Sequence, residues 1–123
     1  MIRSAAALLI GCGTLCQADG AATSWQLIEL SGTAFSASAT LTIGEDGQIT
    51  GRAPCNRYAA RLLNGGTAFE VGPIMATKMA CPDLVAETVF FDILAEVANS
   101  ETRDGFLILH AATGAEMVFK PAE

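Results

Sequence analysis

Side chains able to do chemistry gather in two short segments, Gly51-Arg52-Ala53-Pro54-Cys55-Asn56-Arg57-Tyr58 and Thr77-Lys78-Met79-Ala80-Cys81. They offer thiol, amide and hydroxyl groups, and the basic residues Arg52, Arg57, Arg61 and Lys78 lie in or beside them. In a chain with 7 Lys+Arg against 13 Asp+Glu, that is a local positive patch suited to an anionic ligand or a partner's carboxylates. The plainer reading pairs these cations with nearby acids. Asn56 serves a ligand or, more commonly, ties down a turn through backbone bonds. Trp25 and Tyr58 form an aromatic pocket wall or, by default, pack in the core with the polar tip satisfied. Core filling is the default for Met75 and Met79.

Other chemistries find little footing. His110 is the only histidine, which leaves out a histidine-rich metal site, and no carboxylate or nucleophile is placed by sequence to partner it. There is no glycine-rich phosphate loop, metal-spaced acid cluster or nucleophile elbow. The sequence nominates no catalytic residue, metal ligand or cofactor. A net charge of −6 has the wrong sign for a phosphate backbone, so nucleic acid is not an expected partner.

Compartment decides which cysteines count. Met1-Ile2-Arg3 is a short positive start, Ser4 to Leu15 is apolar, and Cys16-Gln17-Ala18 suits signal-peptidase cleavage. The expectation is a signal peptide over 1–18 and one domain over 19–123, periplasmic or secreted. Leu9-Ile10-Gly11-Cys12 also fits a lipobox, so an outer-membrane lipoprotein anchored at Cys12 is the alternative, although the apolar run before it is short. Downstream, no run approaches the roughly 18 apolar residues of a membrane span. Cleavage after Ala18 leaves Cys55 and Cys81, which in an oxidising compartment read as a disulfide. Two buried thiols are the alternative, and zinc is a poor third without a CxxC pair.

The elements that must position these residues are mostly strands. Strands are expected over 24–30, 39–43, 48–51, 67–71, 106–110 and 116–120. Asp46-Gly47, Asn64-Gly65-Gly66, Asp104-Gly105 and Thr113-Gly114 supply turns. One helix is expected over 82–98, with Pro82 at its first position, Asp83 at its positive end and Asn99-Ser100 closing it. Its apolar arc takes in Leu84, Phe90, Phe91, Ile93, Leu94, Ala95, Val97 and Ala98, and Glu87 falls inside that arc. An ionised carboxylate there needs a partner. Arg52, Arg57, Arg61 and Lys78 are candidates, with Tyr58 or backbone donors as substitutes. Glu87 is then a buried anchor between helix and sheet or, less simply, a ligand-facing acid. The fold class is α+β, mainly β: a small antiparallel meander barrel with one inserted α-helix.

With Trp25-Gln26-Leu27 and Gly72-Pro73-Ile74-Met75-Ala76 added, the two segments resemble the META domain family, which includes heat-inducible HslJ-like envelope proteins. The resemblance covers about residues 24 to 120 and rests on Trp25, Cys55-Asn56-x-Tyr58, Thr77-x-Met79-Ala80-Cys81 and a helix with a Glu, here Glu87. Pro54 departs from the family's Gly and removes a backbone donor. The resemblance implies a lipocalin-like barrel, an envelope or secreted location and a stress-related role, with no established catalytic residues. The expected function is a monomeric, non-catalytic module that binds an envelope protein or a small ligand. The alternative is a periplasmic inhibitor of a hydrolase such as lysozyme, whose basic surface would suit an acidic partner.

Overall fold

The computed structural model describes residues 22–64 and 68–122. The expected signal peptide with Cys12 and Cys16, and the turn and strand positions Gly65, Gly66 and Thr67, lie outside the described residues. The elements run β1 (Ala22–Leu30), β2 (Thr33–Ala34), β3 (Thr40–Gly44), β4 (Gln48–Arg52), β5 (Arg57–Asn64), β6 (Glu70–Val71), β7 (Met75–Ala76), α1 (Leu84–Leu94), β8 (Val97–Arg103), β9 (Phe106–Ala111) and β10 (Glu116–Pro121). Among the described residues the fold is mainly β with one helix, as expected.

The strands form one antiparallel sheet in the order β6-β5-β4-β3-β1-β10-β9-β8, with β2 folded onto β1 and β7 onto β5. Its two ends approach each other. Ala68 bridges Asn99, and the Phe69 N–H donates to the Ala98 carbonyl at 3.0 Å, so the sheet curls into a nearly closed barrel. Two meanders, β3 to β6 and β8 to β10, meet on either side of β1. Alternation explains the inner face: Tyr58 and Ala60 are buried between exposed Arg57 and Arg61, and Met117 and Phe119 between less buried neighbours. Those side chains join Leu41, Ile49 and Leu109 with Phe90 and Leu94 of α1 in one core.

Turns follow the glycine signals. Gly47 closes the β3–β4 hairpin with φ 87°, its N–H on the Gly44 carbonyl at 3.0 Å. Asp104 and Gly105 both have positive φ, 55° and 86°, the requirement of a type I′ turn between β8 and β9.

The helix is shorter than expected. It starts at Leu84, after Pro82 and Asp83, and ends at Leu94. Val97 and Ala98 leave it to open β8, and Asn99 and Ser100 are strand residues that pair with His110 and Leu109. Val97 is buried in either reading, so periodicity alone placed it on the helix; pairing along β9 decides for the strand. The helix also buries less than its arc: Glu87, Phe90 and Leu94 are buried, while Leu84 and Ala95 are exposed.

Candidate functional site

The two sequence segments meet. β4 and β5 are joined by residues 53–56, and β7 leads into the stretch 77–83 before α1. A Cys55–Cys81 disulfide, with Cα atoms 5.7 Å apart, joins the two stretches. For Cys55 and Cys81 the oxidised pair is thus the arrangement present.

Asn56 is the hub. Its Nδ2 donates to Glu87 Oε2 at 2.6 Å and to the Met79 carbonyl at 3.0 Å. Its Oδ1 accepts from the Met79 N–H at 2.6 Å and from Thr77 Oγ1 at 2.8 Å. Both amide hydrogens and both carbonyl lone pairs are therefore used. Asparagine suits this place because one planar group supplies donors on one side and acceptors on the other.

Glu87 lies inside the helix–sheet junction, 4% exposed. Its Oε1 accepts from the consecutive N–H groups of Cys55 and Asn56, each at 2.8 Å, and its Oε2 from the Asn56 amide. The β4–β5 connection thus wraps a small backbone cradle around the carboxylate. None of the four basic residues holds it: backbone donors and Asn56 do. The bonds come from residues 55 and 56, so Pro54, which has no N–H, takes nothing from the cradle. No non-glycine residue of the connection has positive φ, so proline fits the local path.

Tyr58 is buried behind the hub. Its hydroxyl donates to the Thr40 carbonyl at 2.7 Å, and its ring meets Phe90 and Phe91 edge-on at centroid distances of 5.6 and 5.5 Å. Burial pushes the phenol well above its ordinary value. Gly51, across from Tyr58 in register, is required by space. An added Cβ would collide with the Thr40 carbonyl oxygen and come 2.8 Å from the Tyr58 hydroxyl. Trp25 sits on β1 opposite Leu41 of β3, partly buried against the core.

Met75 and Met79 depart from expectation. They are 71% and 65% exposed and fill no core; instead they border a surface cleft of about 620 Å³ with Ile74, Leu84 and Phe91. An adjoining cleft of about 500 Å³ is lined by Ser38, Arg52 and Arg57, and both clefts share Asn56, Thr77 and Met79 as walls. Lys78 edges the first. Arg61 stands apart, held by Gln48 Oε1 and the Asp46 carbonyl at 3.1 and 2.9 Å.

His110 gains partners that the sequence did not reveal. Its Nε2 lies 2.7 Å from Glu101 on β8 and its Nδ1 3.4 Å from Glu116 on β10, with Arg103 also on Glu101 at 2.9 Å. Hydrogen bonds from His110 and then Arg103 hold the Glu101 carboxyl below the usual range. Adjacent antiparallel strands bring residues nine apart in sequence together, a relation only register supplies.

The META domain model matches residues 18–123. An NMR structure of a protein from Burkholderia xenovorans is 24% identical with a TM-score of 0.67, over 81% of each chain. A crystal structure of a DUF4847 family protein from Bacteroides vulgatus, 11% identical, has a TM-score of 0.67 over 81% of this chain and 92% of that one. These likenesses speak to fold alone. No curated protein matches the chain.

Proposed function

The chain belongs to the META domain family, and on that premise we propose that it is a non-catalytic binding module of the cell envelope, periplasmic or secreted, that acts through a small ligand or a partner protein. The observation that carries this is the saturation of the motif. Asn56 and the Glu87 carboxylate spend their polar atoms on each other, on Thr77 and Met79, and on the β4–β5 connection. Such groups brace a scaffold. They leave no poised acid, base or nucleophile in that motif. What the brace holds up is a surface: two joined clefts with exposed thioethers and arginines. A location outside the cytoplasm accords with the disulfide that closes the brace.

The test is affinity capture from an envelope extract, with the domain over 19–123 as bait beside its Met75→Glu/Met79→Glu variant. A protein or small molecule retained by the first and released by the second supports the reading. Equal retention by both, or by neither, overturns it. Lysozyme added to a cell-wall lysis assay with excess domain separates the inhibitor alternative, which requires lysis to stop.

A further inference from the structure

Arg52 and Arg57 are directly opposite each other across the β4–β5 ladder. Like charges in that relation repel. Both are exposed on the outer face, and both line the cleft of about 500 Å³ with the Ser38 side. Among the described residues neither forms an ion pair, nor does Lys78, although acids outnumber bases in the chain; the ion pairs seen are those of Arg103 and His110. Glu87, the buried acid beside this connection, forms part of the wall of the larger cleft, but its oxygens are taken by the cradle and the Asn56 amide. Next door, sharing the Met79 and Thr77 walls, is the larger cleft, with Met75, Ile74, Leu84 and Phe91 as its apolar surface. Methionine side chains adapt to flexible apolar chains, and about 620 Å³ is within the size of small-molecule sites.

Resting on the binding-module reading, we propose that the joined clefts take an amphipathic anion: a single alkyl chain against Met75, Met79, Ile74, Leu84 and Phe91, and its acidic head between Arg52 and Arg57. The paired guanidinium groups suit a carboxylate or a phosphate head, each able to accept two parallel N–H bonds. Lys78 adds positive potential at the rim. The barrel core is built of packed side chains, so this ligand lies outside the barrel, across the β5–β7 edge and the start of α1.

Submicellar decanoate, decyl phosphate, decanol, acetate and inorganic phosphate are titrated into the domain over 19–123, followed by Met methyl resonances and calorimetry. Met75 and Met79 should shift and buried Met117 should not. Decanoate or decyl phosphate should bind about tenfold or more tightly than decanol, and Arg52→Gln/Arg57→Gln should erase that advantage while the melting temperature does not fall. Decanoate against decyl phosphate tells a carboxylate head from a phosphate head. Equal binding of decanol overturns the assigned head site. Acetate or phosphate binding as well as the alkyl anions overturns the chain site. Absence of binding by both alkyl anions overturns the whole proposal, and retention of a different partner in the envelope capture would then leave the module reading standing.

Discussion

At the scale of single residues, Glu87 and Asn56 brace the helix to the sheet by filling each other's hydrogen-bonding capacity. A helix wheel puts Glu87 among apolar positions, and the residue is buried. Backbone donors are among its expected partners, but which ones is set by a loop path that no side-chain pattern encodes: they are the main-chain N–H groups of Cys55 and Asn56, 32 and 31 residues away. Glu87→Ala strands those donors and the Asn56 amide, and should cost about 3–5 kcal/mol in denaturant melts. Glu87→Gln keeps one oxygen for the cradle but sets an NH2 against the Asn56 NH2, so about 1–3 kcal/mol is expected. Glu96→Ala, on an exposed position, should stay within about 0.5 kcal/mol. Equal, negligible losses for all variants would mean that the cradle does not hold the fold. Tyr58 gives a separate handle because it is the only tyrosine. Its folded-state phenol is raised by burial, so the unfolded chain ionises first, near the ordinary value of about 10. Its contribution is complete below about pH 10 and is lost as pH rises from there toward the raised value. Phenolate absorbance should therefore lag in the native protein and appear together with unfolding. Tyr58→Phe should lose about 0.5–1.5 kcal/mol at neutral pH, from the bond to Thr40, and lose this alkaline limb as well.

At the scale of elements, β1, β3, β4, β9 and β10 are legible from alternation and turns, whereas β5 and β8 are not expected as strands although Asn64-Gly65-Gly66 and Asp104-Gly105 follow them, and the boundary between α1 and β8 is missed with β8. Val97 satisfies both periods: it continues the helix arc, and it faces the core at the start of a strand. The deciding signal was present in Asp104-Gly105. A type I′ turn joins two strands, so a strand at Phe106 requires another ending at Arg103. β7 is two residues long and carries no pattern of its own. The exposed Met75 and Met79 escaped because composition sends methionine to the core, whereas the β7 register and the disulfide keep this segment on the surface. Glycine substitutions separate two element-level causes. Gly105→Ala meets nothing within 4 Å and should cost roughly 1–2 kcal/mol, from backbone conformation alone. Gly51→Ala has ordinary φ but meets a backbone carbonyl and the Tyr58 ring, so it should cost more, about 3 kcal/mol, by pushing β4 off β3. If thermal melts rank them the other way, β3 and β4 are not this close. The disulfide closes a loop of 26 residues, for which chain entropy gives about 3–4 kcal/mol. Cys55→Ser/Cys81→Ser should lose about that much, and thiol titration of the denatured, unreduced wild-type domain should find no free thiol.

For the whole molecule the decisive element is β1. It pairs with β3 on one side and β10 on the other, so it joins the N-terminal meander to the C-terminal one. Its first half carries much of that link. Ala22 to Gln26 pair with Gly44 to Thr40, and Trp25 and Gln26 pair also with Pro121 and Lys120. On the far side, among the described residues, a bridge between Ala68 and Asn99 and the Phe69 N–H on the Ala98 carbonyl join the β6 region to β8. Cooperative folding therefore depends on the β1 seam. A chain over 19–123, the product expected from cleavage after Ala18, keeps all of β1 and should unfold in a single transition by circular dichroism and by Trp25 fluorescence. A chain starting at Leu27 removes those pairs and leaves the edge of β3 and the end of β10 at Lys120 and Pro121 unpaired, which favours misassociation. It should show no cooperative transition, and its amide spectrum should collapse. A native-like melt from the shorter chain would mean that β3 and β10 hold the barrel without the first half of β1. Intact mass of the protein recovered from the envelope tests the expected boundary: a start at Asp19 supports cleavage after Ala18, whereas a diacylglyceryl adduct on Cys12 supports the lipoprotein alternative and places a lipid tether ahead of β1.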